Sequence, residues 1–168
     1  DRYADVMVNF ALNNGRGVKK NEVVFIATQL KGLPLAHKIY TAVLQRGAYP
    51  MLDIVDDTAR RLLLEHGSDR QLRFFPKPYY KGLITTVDHW LRVLADDDPR
   101  FLRGIAPEKI LTLSNTAKPF RDWLFKKESQ GKLSWTLCLY ATEGVAKEAG
   151  LTQKQLWNQI IKACFLRE

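Results

Sequence analysis

The sequence predicts an α/β fold: a mostly parallel sheet of about four or five strands with helices on both faces, a three-layer, Rossmann-like arrangement. Three observations predict it. Short apolar or alternating runs recur at residues 22–28, 50–55, 87–94 and 133–140. Segments with apolar residues at helical spacing lie between them. The first run, EVVFIAT, is apolar on both faces, as in a strand inside a sheet covered on both sides.

Taken in order, Tyr3, Val6, Met7, Phe10 and Ala11 recur at helical spacing, and Gly15 and Gly17 end the pattern, predicting an opening amphipathic helix. After the strand over 22–28, a second helical stripe of Ala36, Ile39, Tyr40, Val43 and Leu44 stops at Gly47. The segment 50–55 then reads as another strand. Strand, helix and strand have the lengths of a parallel crossover, which would be right-handed.

From Asp57 the pattern is helical through Ala59, Leu62 and Leu63 to His66 and Gly67, and a short helix follows from Asp69 to about Phe74. Pro76 and Pro78 interrupt it. Val87, His89, Leu91 and Val93 alternate with Asp88, Trp90, Arg92 and Leu94 as in a strand, closed by Asp96-Asp97-Asp98-Pro99. A short turn of helix is expected over Phe101 and Leu102. Pro107 sits where the next helix begins, and Ile110, Leu113, Ala117, Phe120 and Leu124 carry its stripe towards Gly131. Pro119 falls inside the stripe and predicts a kink or a break into two helices. Residues 133–140 form the clearest alternating strand. Thr152 and Gln155 have the spacing of a capping box, opening a last helix whose buried face is expected to be Leu156, Trp157, Ile160, Ile161, Cys164 and Phe165.

A chain of 168 residues with 46% apolar and 26% charged residues has the size and makeup of one folded domain, residues 1–168, rather than of a disordered chain. Its longest unbroken apolar run, residues 23–27, is too short to cross a bilayer, and its first residues show no charged region followed by an apolar stretch. No membrane partner and a cytoplasmic location are therefore expected. Cys138 and Cys164 stand in apolar contexts without a CxxC spacing, which suits buried free thiols rather than a disulfide scaffold or a zinc knuckle. The net charge of +8 invites a nucleic-acid reading. The basic pairs Lys19-Lys20, Arg60-Arg61 and Lys126-Lys127 are dispersed along the chain, however, and no glycine-aromatic motif of an RNA-binding sheet is present. A solvated basic surface is the simpler expectation.

A hydrolytic metal centre needs several imidazoles and carboxylates that converge. Only His37, His66 and His89 are available, with no HExxH, HxH or HxD, and each reads as a surface or packed residue. Asp56-Asp57 and Asp96-Asp97-Asp98 follow predicted strands, where a receiver-like domain would hold magnesium, but helix capping and a polar turn explain them more simply. Gly15-Arg16-Gly17 precedes the first strand, whereas a phosphate loop follows one. Neither GxSxG nor a cysteine motif beside a histidine supports nucleophilic catalysis. Trp90, Trp123, Trp135 and Trp157 fall within core patterns and are expected to pack. No catalytic, cofactor-binding or metal-binding residue is assigned.

Residues 132–166, KLSWTLCLYATEGVAKEAGLTQKQLWNQIIKACFL, carry a resemblance. A strand leading through Tyr140-Ala141-Thr142 into a short helix, then Glu148-Ala149-Gly150 and a capped helix ending Lys162-Ala163-Cys164, resembles the thermophilic metalloprotease family of leucyl-type aminopeptidases. Tyr3-Ala4-Asp5, the turn and strand over 18–24, and the helix closing at Gly47-Ala48-Tyr49-Pro50 are similar to that family's opening. Ala141 and Tyr49 depart from its pattern, as in a divergent member. The resemblance runs from Tyr3 to Leu166, and its motifs are structural rather than catalytic.

That resemblance implies removal of N-terminal residues from peptides at a site with two divalent ions of the zinc or cobalt type, held by Glu, His and Asp from a carboxy-terminal part. No position of this sequence matches those ligands. The chain is thus expected to be the non-catalytic amino-terminal domain of a homo-oligomeric metalloaminopeptidase. Its partners would be the missing catalytic part and, through it, peptide substrates. A standalone ligand- or protein-binding module is the alternative, and a basic nucleic-acid-binding domain the second.

Overall fold

Four parallel strands in the order β2-β1-β3-β4 organise the chain: β1 (Val23–Thr28), β2 (Tyr49–Ile54), β3 (His89–Leu94) and β4 (Ser134–Leu139). The structure, a computed structural model, describes residues 1–166. Its α/β class, its parallel pairing and the four strand segments agree with the periodicity of the sequence. Two compact units are distinguished, one built on the sheet from residues 1–55, 88–99 and 134 onward, the other helical, from 56–87 and 100–133.

The sheet unit contains α1 (Arg2–Asn9), α2 (Leu33–Gln45), α8 (Glu143–Glu148) and α9 (Gln153–Ala163). Register places Val24 opposite His89 and His89 opposite Ser134, so Val24, Ile26, Leu91, Val93 and Cys138 share one sheet face. Val8 of α1, Ile39 and Val43 of α2, and Leu156 and Ile160 of α9 join them in one buried cluster. Each such aliphatic side chain removed from water contributes about 1.5–3 kcal/mol. On β1, Val24, Phe25, Ile26 and Ala27 are all buried, so this strand is covered on both faces, as its doubly apolar run requires.

The helical unit contains α3 (Asp57–His66), α4 (Asp69–Leu72), α5 (Lys77–Thr86), α6 (Pro107–Thr116) and α7 (Lys118–Ser129). Pro119 stands in the first turn of α7 and the break falls at Ala117, so the interrupted stripe is two helices. Helix α5 was not expected. Pro76 and Pro78 do not interrupt structure there but open it, at the cap and in the first turn, where a missing N–H costs nothing.

Other expectations need correction. Helix α1 stops at Asn9, with Phe10 already out of helical conformation at φ −132°, and Phe10 is exposed. Phe165, assigned to the buried face of α9, has φ 50° and is 81% exposed, while Ile161 and Cys164 are half-buried. Trp135 projects from β4 and is 48% exposed rather than packed in a core.

Candidate functional site

Parallel strands put their carboxyl ends on one edge, the usual ligand-binding edge of an α/β sheet. Here that edge is interlocked. Buried Gln29, just after β1, donates from Nε2 to Asp96 Oδ1 at 2.7 Å and accepts the Ala95 N–H at Oε1 at 3.1 Å. Thr142, also buried, donates from Oγ1 to the Asp96 carbonyl and accepts the Val145 N–H at 3.2 Å, capping α8. A Cβ on Gly32 would fall 2.1 Å from Thr28 Oγ1, and one on Gly144 would fall 1.9 Å from the Asp97 carbonyl oxygen. The loops after β1, β3 and β4 are thus tied closely to one another at this edge.

The acidic clusters behave as capping and turn residues. Asp56 Oδ1 accepts the Thr58 and Ala59 N–H groups at 2.9 and 3.1 Å at the start of α3. Asp96 is engaged by Gln29, and Asp97 lies 3.8 Å from Lys31 across solvent.

At the opposite, amino-terminal edge is a relay that sequence reasoning missed. His89 Nε2 lies 2.7 Å from Glu22 Oε2, and His89 Nδ1 lies 2.7 Å from Ser134 Oγ. A carboxylate only accepts, so Nε2 carries a proton and donates it to Glu22, while Nδ1 is held by the Ser134 hydroxyl. The order serine, imidazole, carboxylate is that of a hydrolase triad. Its setting is different: Ser134 Oγ also accepts the Asn13 N–H at 3.0 Å, and His89 is only 4% exposed, so the base has no path to a substrate. The relay fastens the loop before β1 to β3 and β4. Burial pushes the Glu22 carboxyl up, but hydrogen bonds from His89 and the Lys19 N–H, with the charges of both residues, leave it below its ordinary value.

The remaining candidates do not converge. His37 on α2 and His66 at the end of α3 are exposed, the latter 3.9 Å from Glu65. Gly15-Arg16-Gly17 lies in the turn before β1 and opens no helix. Cys138 is buried and free, its thiol pushed up to about 12 by burial. Beside it Tyr3 donates to the Leu139 carbonyl at 3.3 Å, and burial raises its phenol as well. Among the described residues no three His, Cys, Asp or Glu side chains are grouped to hold a metal ion. The paired ions that the resemblance implies therefore do not fit the donors present.

In the helical unit, two lysines act as internal clamps. Lys109 Nζ donates to the Leu64 and Glu65 carbonyls at 2.8 and 3.0 Å behind α3, and Lys127 Nζ donates to the Ile84 and Val87 carbonyls behind α5, at 2.8 Å for the first. The unit also holds an aromatic group. Phe75 and Tyr80 stack at 5.1 Å, Tyr80 meets Phe120 at 4.9 Å, and Phe75 meets Trp123 at 5.8 Å, with Lys81 over the indole. The unit carries 14 Lys and Arg against 7 Asp and Glu, a net +7, while the rest of the chain carries 12 against 11. Basic residues that are dispersed along the sequence are thus collected by the fold.

Comparison with known proteins adds to this geometry. A sequence model of the family described as thermophilic metalloprotease (M29) matches residues 1–168. Among solved structures, wild-type AmpT from Thermus thermophilus is similar, with a TM-score of 0.79 and 19% sequence identity; the match covers 96% of this chain and 41% of that one. At that identity the likeness shows the fold. No match is found among curated proteins. The chain spans well under half the length of the solved protein it resembles.

Proposed function

The chain belongs to the thermophilic metalloprotease (M29) family, and from that premise we propose that it serves as a non-catalytic amino-terminal domain of a metal-dependent aminopeptidase. It shapes access to a catalytic centre built from polypeptide outside these 168 residues, and that centre holds the divalent ions of zinc or cobalt type. The full enzyme works as a cytoplasmic homo-oligomer.

The interlock of Gln29, Asp96, Thr142 and Gly144 carries this reading. It supports a scaffold role because the edge where an α/β domain places its chemistry is filled by hydrogen bonds between loops. The 41% coverage of AmpT supports a larger parent protein. So does β4, an edge strand whose Trp135 and Leu137 project from one face, 48% and 51% exposed. Such a strand is suited to burial against further polypeptide or another subunit.

Release of amino acids from peptide amides by the isolated chain, with zinc or cobalt supplied, tests the proposal. The expected rate is that of buffer alone. Turnover at an enzyme-like rate overturns it.

A further inference from the structure

We infer that the helical unit carries a docking site for peptides that bear carboxylates around one large apolar side chain. This deepens the reading of the chain as a substrate-shaping domain and rests on it, naming acidic peptides as the class that the domain gathers.

The first observation is a preformed hollow of about 180 Å³ lined by Phe74, Phe75, Pro76, Tyr80, Leu113 and Phe120 among others. Its walls are braced by ring contacts of Phe75 and Phe120 with Tyr80. An apolar cavity of about 150 Å³ accepts benzene, so this one accepts a single aromatic or branched side chain. Phe74 stands at its rim, 71% exposed.

The second observation is charge. Arg73, Lys77, Lys118 and Arg121 are next in sequence to the lining residues Phe74, Pro76, Ala117 and Phe120, and all four are exposed. Arg73 is 3.5 Å from Asp69 and Lys118 is 2.6 Å from Asp122; Lys77 and Arg121 make no ion pair among the described residues. With a net +7 on the unit, the field around the hollow attracts anions and disfavours cationic peptides. Nucleic acid fits less well. Phe75 and Tyr80 lie at 14° to each other with their faces joined, so those faces are not open to stacking bases.

The test uses this chain and fluorescently labelled pentapeptides followed by anisotropy: a central phenylalanine flanked by four acidic residues, the same peptide flanked by four lysines, and the acidic peptide with alanine at its centre. The acidic phenylalanine peptide is expected to bind at least about tenfold more tightly than either control, and to weaken as salt shortens the Debye length. Phe74→Ala and the pair Lys77→Glu with Arg121→Glu, exposed positions where the fold tolerates change, should each weaken it by about fivefold or more. Circular dichroism confirms that the variants are folded. Equal binding of the lysine peptide, no binding of any peptide, or stronger competition by single-stranded RNA than by acidic peptide overturns the inference and leaves the family reading standing. Shortening of the peptide by the chain, seen by mass spectrometry, overturns the non-catalytic reading on which the inference rests.

Discussion

His89 reaches Glu22 across 67 positions of sequence, its Nε2 2.7 Å from the carboxylate, and through Nδ1 the same ring holds Ser134. One imidazole thereby joins the amino ends of three adjacent strands. The sheet depends on it for the placement of the loop before β1, since Ser134 in turn accepts the Asn13 N–H.

Glu22→Gln should therefore destabilise the chain by about 1.5–3 kcal/mol, the range for a hydrogen bond to a charged group. The pH dependence has a definite sign. The folded Glu22 carboxyl lies below its unfolded value, so its contribution is fully present above the ordinary carboxylate range, about 4.3, and is lost as pH falls through the depressed folded value. Urea denaturation should show the gap between native chain and variant at about pH 5.5 and little of it at about pH 2.5. A gap that persists unchanged in acid would show that Glu22 acts by packing alone.

Gly144→Ala and Gly82→Ala should move stability in opposite directions. A Cβ at Gly144 meets the Asp97 carbonyl at 1.9 Å, and backbone does not yield, so a loss of about 1–3 kcal/mol is expected. At Gly82, within α5, a Cβ meets nothing within 4 Å and φ is not positive, so alanine should add about 0.5–1 kcal/mol. Thermal melts of the two variants check both signs; stabilisation by Gly144→Ala would refute the interlock.

Cys138 should resist alkylation in the folded chain. Its thiol is buried and pushed up to about 12, so at about pH 8 almost none is thiolate. Mass spectrometry after iodoacetamide treatment should find Cys138 unmodified until denaturant is added. Rapid labelling without denaturant would mean that β4 opens readily.

Much of this architecture was legible because it is local. The doubly apolar run of β1 and the Thr152 and Gln155 capping box of α9 are written in adjacent residues, and both are present. Helix α5 was hidden by reading Pro76 and Pro78 as breakers, when a proline in a first turn is a start signal. The His89 relay was illegible for a different reason: its partners meet it only through strand register, and nothing in the sequence near Glu22 or Ser134 announces that register. The basic character of the helical unit was hidden likewise, since the unit is assembled from two stretches separated by β3. Segregation of charge belongs to the fold, and a count along the chain averages it away.

Calorimetric titration of the isolated chain with zinc or cobalt tests most directly the claim that peptide cleavage depends on polypeptide outside it. The account predicts no saturable uptake at micromolar concentrations. Tight stoichiometric binding that is abolished by replacing three or more of this chain's own His, Asp or Glu side chains would contradict it.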